Sequence, residues 1–129
     1  MLDTDTCIEI LRGNEAVIER RAATDDEVVT TWITAAELRY GAAKSVAPEK
    51  NHALVTKFLA TLPVLGLDAA SAQIFGEAKA LLEKRGHRLA DADLFIGAIA
   101  AAKQASVVTG NKKHYARIPG VVLEDWIRA

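Results

Sequence analysis

The segment from Asp91 to Gln104 constrains the fold more than any other part of the chain, because it is apolar almost all the way round. Its large apolar residues recur at a spacing that covers every face of a helix, so no polar face is left for solvent. A helix of this kind is stable in water only when other elements cover it. The segment therefore predicts a central buried helix, with acidic residues at its amino-terminal end.

Short apolar segments alternate with helical patterns along the rest of the chain. Several are rich in β-branched residues, which is typical of strands. Besides a short first strand that ends at Leu2, we predict strands at residues 28–32, 63–67, 106–109 and 121–123. Further helices are predicted at residues 6–12, 15–23 (after the cap residue Asn14), 35–44, from Pro48 onward, and 69–84. This alternation indicates an α/β sandwich around a mostly parallel sheet.

Size and charge limit the classes of protein that fit. A chain of 129 residues without repeats or long linkers predicts one domain spanning residues 1–129. A formal net charge of −1 gives no overall attraction to nucleic acid or membranes, so any nucleic-acid role needs a local basic patch. The longest apolar run, residues 94–102, is too short to span a bilayer. With the single Cys7 as a small core residue and no signal peptide, we expect a cytoplasmic protein without membrane association.

Four acidic residues stand near the starts of predicted elements: Asp3, Glu37, Asp91 and Asp93. Each also has a structural explanation, because an acid can cap a helix or complement its dipole, and Thr34 with Glu37 fits a capping box. Ligands gather at the carboxyl ends of parallel strands, and several carboxylates gathered there need a cation to relieve their repulsion. Mg²⁺ or Mn²⁺ suits such an all-oxygen site. Residues two apart on a helix point apart, so Asp91 and Asp93 cannot both face it.

Basic residues flank these acids in the sequence. Arg85 and Arg88 precede the acidic helix, and Lys112 and Lys113 follow the predicted strand at residues 106–109. Both clusters could bind phosphates, although each also fits a solvated loop. The three scattered histidines show no metal-ligand spacing and are predicted at the surface, whereas two aromatic residues, Trp32 and Tyr40, are predicted in the core.

Four motifs, in order along the whole chain, resemble the PIN-domain ribonucleases of the VapC toxin type. "LDTDT" is similar to the opening L-D-T-N of that family, and "ITAAELRYGA" to its T-x-x-E-L-x-x-G segment. "DLFIGAIA" resembles its D-L-x-I-A-A helix, and "VVTGNKKHYARIPGVVLEDW" its closing V-T-x-N-x-x-x-F-x-x-I-P-G segment. Each motif alone is weak, but the set in this order is specific.

The resemblance implies a three-layer α/β/α sandwich and an endoribonuclease toxin that cuts RNA, in tRNA or ribosomal RNA, by water that Mg²⁺ or Mn²⁺ activates. It also implies a cognate antitoxin and a homodimer. The metal-binding acids would be Asp3, Glu37 and Asp93, with Asp91 as a lesser candidate. The residues expected to surround and orient them are Thr4, Asp5, Thr109 and Asn111.

Two departures from the family pattern leave alternatives open. Asp5 replaces the usual Asn, and Asn111 replaces an acid found in many relatives. The latter change is compatible with a non-catalytic PIN module that acts only by binding a partner. "DTDT" also resembles the D-x-D-x-[TV] motif of haloacid-dehalogenase-type phosphatases, in which Asp3 would be the nucleophile, but Cys7 stands where that motif needs Thr or Val.

Overall fold

The computed structural model describes residues 1–128 as alternating helices and short strands. The helices are α1 (Thr4–Leu11), α2 (Glu15–Ala23), α3 (Trp32–Ala43), α4 (Pro48–Leu59), α5 (Ala69–Lys84), α6 (Asp91–Lys103) and α7 (Lys112–Tyr115). The strands are β1 (Thr30–Thr31), β2 (Val64–Leu65), β3 (Ser106–Val108) and β4 (Val122–Glu124). The short helix α7 is absent from the sequence prediction. The predicted α/β class is confirmed.

The strands form two parallel pairs, β1 with β2 and β3 with β4. Residues 1–3 join the pairs, because Leu2 forms a parallel bridge with Val108 and its N–H donates to the Val29 carbonyl at 2.7 Å. The amino-terminal residues therefore lie between β1 and β3. The amino-terminal segment, β3 and β4 run in the same direction, so the residues that follow them meet at one edge.

Two apolar clusters cover the opposite faces of this sheet. Met1 and Val107 belong to the cluster that contains α6, whereas their neighbours Leu2 and Val108 belong to the cluster that contains α1. Successive residues of a strand point to opposite faces, which explains why each pair divides in this way. The sheet is therefore the middle of three layers, as predicted.

Helix α6 is the buried central helix that its sequence predicts. Ile96, Ala98, Ile99 and Ala100 are each at most 1% exposed. A Cβ atom at Gly97 would lie only 2.6 Å from Cδ1 of Ile118, so this position accommodates a side chain only if its neighbour moves. The close approach packs the segment after α7 against α6.

Two of the predicted helices have the bounds that the structure shows. Helix α2 follows Asn14, whose side chain accepts a hydrogen bond from a backbone N–H of the first turn. Helix α5 follows Asp68, which forms a capping box with Ser71. Local side-chain caps define both starts, which explains why the sequence alone predicts them.

The start of α3 differs from the prediction. Strand β1 ends at Thr31 and α3 begins at Trp32, although residues up to 32 were predicted as strand. The Thr31 hydroxyl accepts a hydrogen bond from the Thr34 N–H at 3.1 Å. Thr31 is therefore the cap of α3, and the predicted capping box of Thr34 with Glu37 is wrong.

The predicted burial of Trp32 and Tyr40 is also wrong, because their exposed fractions are 59% and 66%. The inward face of α3 is formed by smaller residues at helical spacing, namely Thr34, Ala35, Leu38 and Ala42. The two aromatic side chains therefore remain on the outside, where Lys44 Nζ lies 4.6 Å from the centre of the Tyr40 ring.

Cys7 is fully buried, as predicted, and burial raises the pKa of its thiol to about 12. A thiol with so high a pKa is not reactive at neutral pH, which fits a small core residue. Within residues 1–128, no helix has both the length and the apolar character that a membrane crossing requires.

Candidate active site

Asp3 lies at the end of the amino-terminal segment, which runs between β1 and β3, and it caps α1. Its Oδ1 accepts a hydrogen bond from the Thr4 N–H, and its Oδ2 accepts one from the Thr109 hydroxyl, both at 2.8 Å. The residue is only 4% exposed. The capping role that the sequence leaves open for an acid at this position therefore belongs to Asp3, and Thr109 orients its carboxylate.

Burial raises the pKa of Asp3 to about 6. The hydrogen bonds from Thr109 and Thr4 favour the charged form and oppose this rise, while the nearby Asp5 carboxylate adds to it. The carboxylate of Asp3 is thus held firmly in place but lacks compensating positive charge.

Glu37 projects from α3 toward the same edge of the sheet. Its Oε1 accepts a hydrogen bond from the Thr4 hydroxyl at 2.6 Å, and that hydroxyl lies 3.2 Å from the hydroxyl of Thr34. Thr4 therefore contacts two of the predicted acids, Asp3 through its backbone N–H and Glu37 through its side chain.

Asp93 lies in the first turn of α6, and the Tyr115 hydroxyl connects it to the other acids. That hydroxyl donates a hydrogen bond to Oδ1 of Asp93 at 3.4 Å, and it is near enough to Asp3 to lower the pKa of that carboxyl. Burial raises the pKa of Tyr115, followed in effect by the negative charges of Asp3, Asp93 and then Glu37. The Tyr115 hydroxyl therefore links Asp93 to the surroundings of Asp3.

Asp91 points elsewhere. Its Oδ1 lies 3.0 Å from Nζ of Lys79 in a largely exposed ion pair between α6 and α5. The prediction that Asp91 and Asp93 face different surroundings is confirmed, whereas the alternative that Asp91 caps α6 is wrong, because α6 begins at Asp91 itself and the cap position is Ala90.

The residues around Asp5 form a tight turn beside the acids. Oδ2 of Asp5 accepts a hydrogen bond from the Gly110 N–H at 2.8 Å. A Cβ at Gly110 would lie 3.0 Å from that oxygen and 2.6 Å from Nη1 of Arg128, so a larger residue would disturb the turn. The Asn111 N–H donates to the Thr109 hydroxyl at 2.9 Å, and the Asn111 side chain is exposed.

The predicted basic residues lie on the two segments that border the acids. Arg85 and Arg88 are exposed on the connection between α5 and α6, directly before the acidic start of α6. Lys112 and Lys113 are exposed in α7, directly after Asn111. Both pairs are therefore open to solvent next to the chain segments that carry the acids.

Two neighbours of Asp93 are missing from the sequence prediction. Tyr115 is fully buried with its hydroxyl at the acids, and the exposed His114 places Nδ1 3.5 Å from Oδ2 of Asp93. A buried tyrosine needs a hydrogen-bond partner, and Tyr115 is only four residues after the predicted site residue Asn111. Its position in the sequence could therefore have indicated a hydroxyl at the site. His114 follows the basic pair Lys112 and Lys113 in the sequence, but nothing there relates it to Asp93.

The acids of this site have little positive charge near them. Across residues 1–128, no Lys or Arg side chain pairs with Asp3, Glu37 or Asp93. In the same part of the chain, no three His, Cys, Asp or Glu side chains lie close enough together to form a ready metal site. Mg²⁺ is commonly held by one or two carboxylates and several waters, so the oxygen donors here fit that ion without a third protein ligand.

Comparison with known proteins places the chain among characterised families. The family model described as "PIN domain" matches residues 1–121. The "tRNA(fMet)-specific endonuclease VapC" of Salmonella typhimurium is 39% identical over 127 residues, which cover 98% of this chain and 96% of the relative. "Ribonuclease VapC2" of Rickettsia felis is 32% identical over 129 residues, with 98% and 96% covered.

Solved structures show the same likeness. The structure of VapBC2 from Rickettsia felis, bound to a DNA fragment from its promoter, contains a chain that matches with a TM-score of 0.91 at 31% identity. The match covers 98% of this chain and 97% of that one. DNA-bound VapBC from Salmonella typhimurium gives a TM-score of 0.91 at 38% identity, with 98% and 96% covered.

Proposed function

Because this chain belongs to the PIN-domain family, and within it to the VapC ribonucleases, we propose that it is a metal-dependent endoribonuclease and the toxin of a toxin–antitoxin pair. The observation that carries the metal dependence is the environment of Asp3. Its buried carboxylate has a pKa raised to about 6, is linked to Glu37 through Thr4, lies near the Tyr115 hydroxyl that bonds to Asp93, and has no Lys or Arg partner within residues 1–128.

In this proposal, Asp3 and Asp93 hold Mg²⁺ or Mn²⁺, and Glu37 acts through water or on the nucleophile. The bound ion would supply a Lewis acid that activates water and neutralises charge on a phosphodiester. We leave Asp91 out of the ligand set, because its carboxylate pairs with Lys79.

The surrounding residues hold the acids in position. Thr109 and the Thr4 N–H each bind one oxygen of Asp3, which fixes the rotation of its carboxylate. The Thr4 hydroxyl restrains Glu37 in the same way. Asp5 holds the turn at Gly110, from which Asn111 extends toward solvent. Such outer contacts orient the groups that bind a metal.

RNA would be held by phosphate contacts from Arg85, Arg88, Lys112 and Lys113, which are exposed on the segments before and after the acids. Among RNAs, we propose tRNA as the substrate class ahead of ribosomal RNA. The support is the Salmonella relative at 39% identity, whose name describes it as specific for tRNA(fMet).

The proposed protein partner is a cognate antitoxin, as in the VapBC complexes that this chain resembles. The excess of carboxylates favours a partner that places an Arg or Lys side chain among them, since a guanidinium can bridge two carboxylates. The homodimer that the resemblance implies stays a prediction.

Metal withdrawal tests the proposed activity. We expect the purified protein to cleave tRNA in Mg²⁺ or Mn²⁺, to lose that activity in excess EDTA, and to regain it when either ion is restored. Cognate antitoxin added in saturating Mg²⁺ should abolish the same cleavage. Cleavage that persists in EDTA would contradict a metal-dependent site, and no cleavage of any RNA with either ion would favour a non-catalytic PIN module.

The phosphatase alternative is wrong, because the chain belongs to the PIN-domain family from residue 1 to residue 121. The structure agrees, since the Asp5 carboxylate that would act as the acid/base group binds the N–H groups of Thr6 and Gly110, both at 2.8 Å.

A further inference from the structure

Tyr115 combines a core ring with a hydroxyl at the acids. The residue is fully buried in the same apolar cluster as Ile96, Ile99 and Ile118. Its hydroxyl nevertheless lies 3.4 Å from Oδ1 of Asp93. Burying a hydroxyl is costly unless it is hydrogen-bonded, so the placement of this group needs an explanation beyond packing.

Gly97 on α6 has no side chain and leaves space for the Tyr115 ring. A Cβ at Gly97 would lie 3.7 Å from Cδ1 of Tyr115, so the ring packs directly against this part of the helix. Asp93 is four residues before Gly97 and therefore lies on the same face of α6, one turn toward its amino-terminal end. A ring seated at Gly97 thus directs its hydroxyl to Asp93.

The Tyr115 hydroxyl has one proton and lies near two carboxylates, those of Asp93 and Asp3. It donates to Oδ1 of Asp93 at 3.4 Å and also lowers the pKa of the nearby Asp3, and a phenol can donate only one hydrogen bond at a time. A tyrosine hydroxyl is neutral at physiological pH, so the group acts as a donor toward a carboxylate. It therefore provides Asp93 with a fixed donor close to Asp3.

We propose that Tyr115 is a positioning residue, whose hydroxyl, with its ring packed against Gly97, holds the Asp93 carboxylate in place beside Asp3. This inference rests on the proposed metal site and adds a residue to it. Without the hydroxyl, Oδ1 of Asp93 loses this hydrogen bond while Asp3 stays fixed by Thr4 and Thr109, so the metal must order the Asp93 carboxylate itself. Metal affinity should then fall, as it does when outer contacts of metal ligands are removed.

The test is calorimetric titration of Mn²⁺ into the isolated protein, without RNA, for wild type and two variants. Tyr115→Phe keeps the ring and removes only the hydroxyl. Ile118→Val trims the same core contact and leaves the hydroxyl in place. We expect Tyr115→Phe to bind Mn²⁺ about 10- to 100-fold more weakly than wild type, and Ile118→Val to bind it with unchanged affinity.

Three outcomes would overturn the proposal. They are equal Mn²⁺ affinity in Tyr115→Phe and wild type, equal weakening in both variants, or a Tyr115→Phe protein that does not fold, since each would assign the residue a purely structural role. If wild type itself binds no Mn²⁺, the metal site of the proposed function fails as well. If wild type binds Mn²⁺ and Tyr115→Phe binds it with the same affinity, only the positioning role fails and the metal site stands.

Discussion

Asp93→Asn is expected to lower the rate of Mg²⁺-dependent RNA cleavage by at least about a hundredfold, more than the usual effect of losing an outer contact of a metal site. The substitution is isosteric and removes one negative charge from a group proposed to hold the metal. Oδ1 of Asp93 accepts a hydrogen bond from the Tyr115 hydroxyl, which lies close to Asp3. Initial rates of tRNA cleavage in saturating Mg²⁺ measure the effect.

Asp91→Asn is the matched control, because it removes the same charge two residues earlier on the same helix. Its carboxylate pairs with Lys79 at the surface, where an ion pair contributes about 0–1 kcal/mol. We expect this variant to cleave within about twofold of wild type, and both variants to melt cooperatively. Similar losses in the two variants would show that the start of α6, rather than the Asp93 carboxylate, controls activity.

Asp3→Asn is expected to stabilise the metal-free protein while it abolishes cleavage. Burial raises the pKa of Asp3 from its usual 3.8 to about 6, so the folded state binds this proton more tightly than the unfolded state. Above pH 6 the charged carboxylate therefore opposes folding, by about 3 kcal/mol at most. Asn is neutral, has the same shape and is equally good as a helix cap.

The predicted gain in the stability of Asp3→Asn becomes smaller as the pH falls. At pH 7.5 in EDTA, Asp3→Asn should raise the free energy of unfolding by about 1–3 kcal/mol, with the lower figure allowing for a weaker bond to Thr109. As pH falls from 6 toward 4, wild type gains the proton when folded, and the difference should shrink below about 1 kcal/mol. Urea unfolding at both pH values measures it, and a variant less stable than wild type at pH 7.5 would contradict the assigned charge deficit.

The sequence predicts those parts of the fold that local side chains determine. Helices α2 and α5 begin after Asn14 and Asp68, whose side chains cap them, and their predicted bounds agree with the structure. The start of α3 was predicted wrongly, because Thr31 and Thr34 are equally good cap residues. Pairing of β1 with β2, more than thirty residues later, decides that the strand ends at Thr31, and no local pattern contains that contact.

The candidate site also contains residues that the sequence identifies and residues that only tertiary packing brings there. Asp3, Glu37 and Asp93 are recognisable from motifs, since each stands near the start of a helix in a segment with a family pattern. Tyr115 belongs to the site only because Gly97 leaves room for its ring, which depends on how the segment after β3 packs on α6. Trp32 is a residue that the sequence predicts in the core and the structure exposes. An aromatic residue at the end of a predicted strand is typical of a core, but here it begins α3 on the outer face.

Locating bound Mn²⁺ by its anomalous scattering in crystals of this protein tests the central claim most directly. The proposed site predicts one anomalous peak about 2.1 Å from a carboxylate oxygen of Asp3 or Asp93, with Glu37 close enough to reach the ion through water. That peak should disappear in crystals of Asp93→Asn and remain in crystals of Asp91→Asn. Mn²⁺ bound only at other carboxylates, with none beside Asp3 and Asp93, would contradict the site.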